Sequence, residues 1–178
     1  MVRTLITENQ LQTRVQQLAA ELNRHYHRRP LTALGVMTGS LVLLADLIRL
    51  LEMPLRVGVM QARSYRGGNT TAGDLALNLD MMPVIAGRDV LIVDDIFDTG
   101  RTLERVLADI TPLGPASMRT LVLLNKTAQN QVAIRPDYVG FEIPNEFVVG
   151  YGLDYQDEYR NLPCIASLEP HEIGSPSL

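Results

Sequence analysis

The segment Val90-Leu91-Ile92-Val93-Asp94-Asp95-Ile96-Phe97-Asp98-Thr99-Gly100-Arg101-Thr102-Leu103 limits the fold more than any other part of the chain. Its four leading residues are all apolar, so both faces of the strand they form must be covered, as in the middle of a parallel sheet. Beyond the polar loop, apolar residues return at Leu103, Val106, Leu107 and Ile110, the spacing of one helix face. Strand, tight loop and helix in that order predict an α/β fold with a parallel-sheet core flanked by helices. In such open sheets ligands bind beyond the carboxyl ends of the strands, where residues 98–102 must lie.

That loop has the chemistry of a phosphate cradle. Gly100 allows close backbone approach, and Asp98-Thr99-Gly100-Arg101-Thr102 brings successive N–H groups to a helix start, where the dipole favours an anion. Thr99 and Thr102 add hydroxyl donors. The spacing of a Walker loop and that of a dinucleotide-binding turn are both absent. Three carboxylates, Asp94, Asp95 and Asp98, stand beside this anion site. They would repel a phosphate unless they grip something else: ribose hydroxyls, a divalent cation or a proton in transit. The plainer alternative is a strand end with Asp98 as a helix N-cap.

Composition narrows the class. The chain has 178 residues, enough for one domain with a substantial core, and is 46% hydrophobic and 20% charged, which excludes a disordered chain. The net charge of −4, from 16 basic and 20 acidic residues, argues against broad binding to nucleic acid. A single cysteine, Cys164, excludes an internal disulfide and a Cys-rich metal site. No leader-like apolar segment stands near the N-terminus, and the most apolar run, near Leu41 to Leu51, is broken by Asp46 and Arg49 and too short to span a bilayer. The expectation is a cytoplasmic protein with no membrane partner.

Other segments fit the same architecture. Thr7-Glu8-Asn9-Gln10 resembles a capping box, and Leu11, Val15, Leu18, Ala19 and Leu22 predict a helix ending between His25 and Arg29. Leu31 to Met37 reads as a core strand, followed by Thr38-Gly39-Ser40 and a helix from about Leu41 to Leu51. This turn is either a second anion site or an ordinary strand-to-helix turn with a Ser cap. Leu55 to Arg63 is a further strand. The Gly-rich run Ser64 to Thr71 is a lid or a solvated connection, and Leu75 to Asp80 returns as a strand. The helix after the loop stops at Thr111 to Pro115. Thr120 to Leu124 is a buried strand that delivers Lys126 to the edge holding Asp98, if the sheet is parallel.

The segment from Asp94 to Thr102 resembles the phosphoribosyl diphosphate signature of type I phosphoribosyltransferases. Lys126, the stretch Pro136 to Pro144 and the run Phe147-Val148-Val149-Gly150-Tyr151-Gly152-Leu153-Asp154 through Arg160 extend the likeness to the hypoxanthine-guanine branch, over roughly residues 33–160. The resemblance implies transfer of a 5-phosphoribosyl group to N9 of hypoxanthine or guanine, giving nucleotide and pyrophosphate. It implies that Asp94 and Asp95 hold the ribose, that Thr99, Gly100, Arg101 and Thr102 hold the 5′-phosphate, and that Asp98 exchanges a proton with the base. Thr38, Gly39 and Arg160 would serve pyrophosphate, with a non-proline cis peptide at Met37-Thr38. Many purine-type members carry a basic residue where Thr38 stands. Lys126, Phe147, Val148 and Asp154 would hold the purine, with Ser64 and Tyr65 opening a flap. Mg²⁺ would be bound through Asp94, Asp95 and Asp154. The implied organisation is one domain over residues 1–178, with a mobile flap at about 64–80. A small C-terminal hood at about 145–168 would include part of the N-terminus. The implied partners are phosphoribosyl diphosphate and a 6-oxopurine, in a homodimer or homotetramer. A xanthine-preferring enzyme and a regulatory member that binds RNA are the rival readings.

Overall fold

The computed structural model describes residues 2–64, 75–126 and 131–169. In chain order the elements are β1 (Arg3–Ile6), α1 (Glu8–Tyr26), β2 (Leu31–Met37), α2 (Leu41–Ile48), β3 (Leu55–Ser64) and β4 (Leu75–Asn78). There follow β5 (Asp89–Phe97), α3 (Arg101–Ile110), a single 3-10 turn (Thr111–Leu113), β6 (Ser117–Lys126), β7 (Tyr138–Ile143), β8 (Val148–Val149) and β9 (Ile165–Ser167).

The apolar run Val90 to Val93 lies in β5, inside a six-stranded sheet of order β4-β3-β2-β5-β6-β7. β5 pairs parallel with β2 and β6, and β2 with β3 and β6 with β7 are also parallel; β4 alone runs antiparallel, against β3. Alternate β5 residues serve opposite faces. Leu91 and Val93 join Leu11, Leu18, Leu22, Leu43 and Leu47 beneath α1 and α2. Val90 and Ile92 join Leu103, Val106 and Ile110 beneath α3. All four are fully buried, which is why the strand shows no polar alternation.

Local signals account for the ends of α1. Thr7 is its N-cap, with the reciprocal bonds of a capping box to Gln10, and the helix stops at Tyr26 before Pro30. α2 is three residues shorter than its apolar content predicted, because Asn23 of α1 takes over the chain beyond it. The Asn23 amide donates to Leu50 O at 3.0 Å, and its carbonyl accepts from Glu52 N–H at 3.0 Å. The cap proposed at Ser40 does not form: its hydroxyl donates back to Val36 O at 2.7 Å.

β1, β9 and β8 form a second, antiparallel sheet of three strands. None of these strands was predicted, since β8 has two residues and β9 three, too few to show a period. The paired ladder of β3 and β4, with Gln61 opposite Asn78, matches the expected returning strand. Tyr65 and the Gly-rich tip lie outside the described residues.

Candidate active site

The carboxyl ends of β2, β5 and β6 converge on one edge, and β5 supplies the centre of it. Its chain leaves at Phe97, turns through Asp98 and Thr99, and enters α3 from Gly100. Gly100 occupies the N-cap position at φ +85°, where a side chain would be strained, and an added Cβ would also overlap the Phe97 ring and Val132. A glycine there gives α3 no side-chain cap, so Asp98 is not the N-cap that its position allowed. The nearest substitute is a long bond of 3.5 Å from Arg101 N–H to Thr99 Oγ1.

Asp94 is buried and Asp95 half-buried. Asp95 N–H donates to Asp94 Oδ1 at 3.0 Å, and Ile96 N–H donates to Asp95 Oδ1 at 2.8 Å. Burial pushes the Asp94 carboxyl well above the usual carboxylate range, and the Asp95 charge adds to it. Burial raises Asp95 too, against its hydrogen bonds and the nearby Arg160 guanidinium. Two adjacent acids, one buried and one half-buried, are a site for groups that donate to them or carry positive charge, namely hydroxyls or a cation.

Opposite them lies the turn after β2. The Met37-Thr38 peptide is cis. Gly39 presses on Asp95 so closely that a Cβ there would overlap the carboxylate. On its other side, a Cβ at Gly152 (φ +105°) would overlap Gly39 O. Gly152 O accepts from Arg160 Nη1 at 2.8 Å, and Arg160 Nη2 reaches Asp154 at 2.8 Å and Asp157 at 3.2 Å. The planar guanidinium is thereby aimed at one place.

These parts enclose a single cavity of about 300 Å³. Thr38, Gly39, Asp94, Asp95, Asp98, Thr99, Gly100, Thr102, Asp154 and Arg160 all line it. Arg101 does not; its side chain is exposed and only its backbone belongs to the loop. Lys126, Phe147 and Val148 stand outside the cavity wall. Lys126 is nonetheless buried, with Nζ 3.3 Å from Asp98 Oδ2. Phe147 is 40% exposed and meets Tyr155 edge-on at 5.5 Å. Val148 is buried in β8. Ser64 ends β3, and Tyr65 lies outside the described residues. The reading of the sequence missed Gly152 and Asp157, which fix Arg160. The Gly-Tyr-Gly triplet at 150–152 was the available signal, since alternating glycines mark positive-φ turns.

For a metal, no cluster of three or more His, Cys, Asp or Glu converges among the described residues. Asp154 is engaged by Arg160 and by Asp157 N–H at 2.9 Å. The donor set fits a hard cation such as Mg²⁺ only in the form that uses one or two carboxylates, with substrate oxygens and waters completing the octahedron.

An uncapped helix start and a pair of acids share one strand-to-helix corner, and the model of the phosphoribosyl transferase domain family matches residues 5–156. The hypoxanthine-guanine phosphoribosyltransferase of Lactococcus lactis is 40% identical over 168 residues, covering 94% of this chain and 91% of the relative. The bifunctional protein TilS/HprT of Listeria innocua is 41% identical over the same length, but this chain spans only 26% of it. Among solved structures, a hypoxanthine-guanine phosphoribosyltransferase from Bacillus anthracis superposes with a TM-score of 0.85 at 37% identity, covering 93% of this chain and 96% of that one. The chain belongs to the hypoxanthine-guanine phosphoribosyltransferase family.

Proposed function

We propose that the chain transfers the 5-phosphoribosyl group from phosphoribosyl diphosphate to N9 of hypoxanthine or guanine, as a purine-salvage enzyme. The observation that carries this reading is the shared cavity, with an uncapped helix start and two acids on one wall and Arg160 with the Thr38-Gly39 turn on the other. A substrate with a phosphate at one end, a sugar diol in the middle and a diphosphate at the other matches that order of groups.

In this account the backbone of residues 99–102 and the Thr99 and Thr102 hydroxyls take the 5′-phosphate. Asp94 and Asp95 accept hydrogen bonds from the two ribose hydroxyls, which replaces their mutual repulsion with charge-assisted bonds. Arg160 and the Gly39 backbone hold the diphosphate. N9 attacks the anomeric carbon, and the C–O bond to the diphosphate breaks with its electron pair leaving on pyrophosphate. Asp98 takes the proton lost by the base at N7, which raises the electron density at N9. Lys126, already beside Asp98, donates to the 6-oxo group, while Phe147 supplies an aromatic face for stacking and Val148 backbone groups for the ring edge. Mg²⁺, when bound with Asp94 or Asp95 and substrate oxygens, supplies charge neutralisation of the diphosphate; Asp154 acts through its ion pair with Arg160. The implied flap, residues 64–80, lies largely outside the described residues. None of the described helices is long and apolar enough to cross a membrane; a cytoplasmic homodimer or homotetramer is the working form we infer from the family.

The test is incubation with phosphoribosyl diphosphate, magnesium and each of hypoxanthine, guanine and xanthine in turn. Nucleotide and pyrophosphate should form with the first two. Failure to form nucleotide from either base would reject the reading, and dominance of xanthine would correct its specificity.

A further inference from the structure

The diphosphate end of the cavity is assembled from two distant segments. One is the Thr38-Gly39 turn, which leads straight into α2. The other is the turn of residues 150–160 that carries Arg160. They touch where Gly152 packs on Gly39 O, a contact that has no hydrogen bond of its own to hold it.

A side chain one residue away supplies the tie. Tyr151 is 6% exposed and sits at φ +49°, a left-handed conformation that tyrosine adopts only when its surroundings hold it there. Its phenol crosses to α2 and donates to Asp46 Oδ2 at 2.7 Å, while Arg49 occupies Asp46 Oδ1 at 2.6 Å. Burial and the Asp46 carboxylate both push the Tyr151 phenol far up, so it stays a donor throughout the working range. The backbone beside it is equally tied: Tyr151 N–H donates to Leu162 O at 2.8 Å, and Gly152 N–H to Arg160 O at 3.0 Å. A movement of the Tyr151 ring therefore moves the turn that sets Arg160.

We propose that Tyr151 is a positioning residue: hooked on Asp46, it clamps the Arg160-bearing turn against the Thr38-Gly39 turn and so sets affinity for the diphosphate. This matters more in a chain with Thr38, which brings no cation of its own to that turn. The proposal rests on the reading that this end of the cavity takes a diphosphate, and the wild-type assay above tests that reading separately.

Tyr151→Phe removes one oxygen and leaves the ring. It should raise KM for phosphoribosyl diphosphate about tenfold, the equivalent of ~1.4 kcal/mol and of one lost hydrogen bond. KM for hypoxanthine and kcat should stay within about twofold, on the view that uniform binding of one substrate has been lost. The Kd of inorganic pyrophosphate, measured by calorimetry, should rise in parallel, and that of IMP, which lacks the diphosphate, should not. Asp46→Ala should reproduce the effect, and Asp46→Asn, which keeps an acceptor, should restore most of the affinity. An equal loss for both substrates, a fall in kcat with KM unchanged, or wild-type kinetics in Tyr151→Phe would each overturn the proposal.

Discussion

Each of the three acids on the β5 corner has its own environment, and the environments predict different consequences of losing the charge. Asp98 is half-exposed beside Lys126, placed to accept a proton from a ligand in the cavity. Asp98→Asn keeps the shape and loses the base, so the transfer rate should fall by roughly 10²–10⁴-fold while IMP binding persists; single-turnover kinetics alongside calorimetry would read both. Asp94 behaves differently because its carboxyl is raised by burial and by Asp95. Below its ordinary value both folded and unfolded chains hold the proton. As pH climbs from there towards the folded value, the unfolded chain releases the proton first, and stability declines. Asp94→Asn should therefore melt above the wild type in metal-free buffer at pH 8, and the gap should close towards pH 4. A gap that is constant across that range would contradict the assigned cause.

Among the elements, the α3 start and the end of β5 were legible because their signals are local: a two-faced apolar run, then Gly100, then a helix period. The same holds for α1, whose capping box was readable from Thr7 and Gln10. Removing it through Thr7→Ala should cost about 1 kcal/mol, visible as a lower urea midpoint with unchanged slope and unchanged KM for either substrate. What the sequence hid depended on distant partners. Asn23 ends α2 from another helix, and β1 becomes a strand only because β9, more than a hundred and fifty residues later, lies beside it. Arg160 could be named as a cation near the site, but its orientation comes from Gly152, Asp154 and Asp157 folding back within one turn. No helical or strand period could have revealed the ion pair between Asp154 and Arg160.

The whole molecule joins two layers of different origin. The mostly parallel sheet supplies the corner between β5 and α3, and the small antiparallel sheet with the turn after it supplies Arg160, Phe147 and the tie to α2. The site exists only where these meet, which explains why the sheet was readable and the geometry between layers was not. The account depends on one claim above the others: the start of α3 binds the 5′-phosphate while Asp94 and Asp95 bind the sugar attached to it. A crystal structure of the complex with IMP tests this directly. The phosphate should lie within hydrogen-bond distance of the backbone N–H groups of residues 99–102, with both ribose hydroxyls on Asp94 and Asp95. A phosphate bound at Arg160 instead, or a ribose turned away from the two acids, would contradict it.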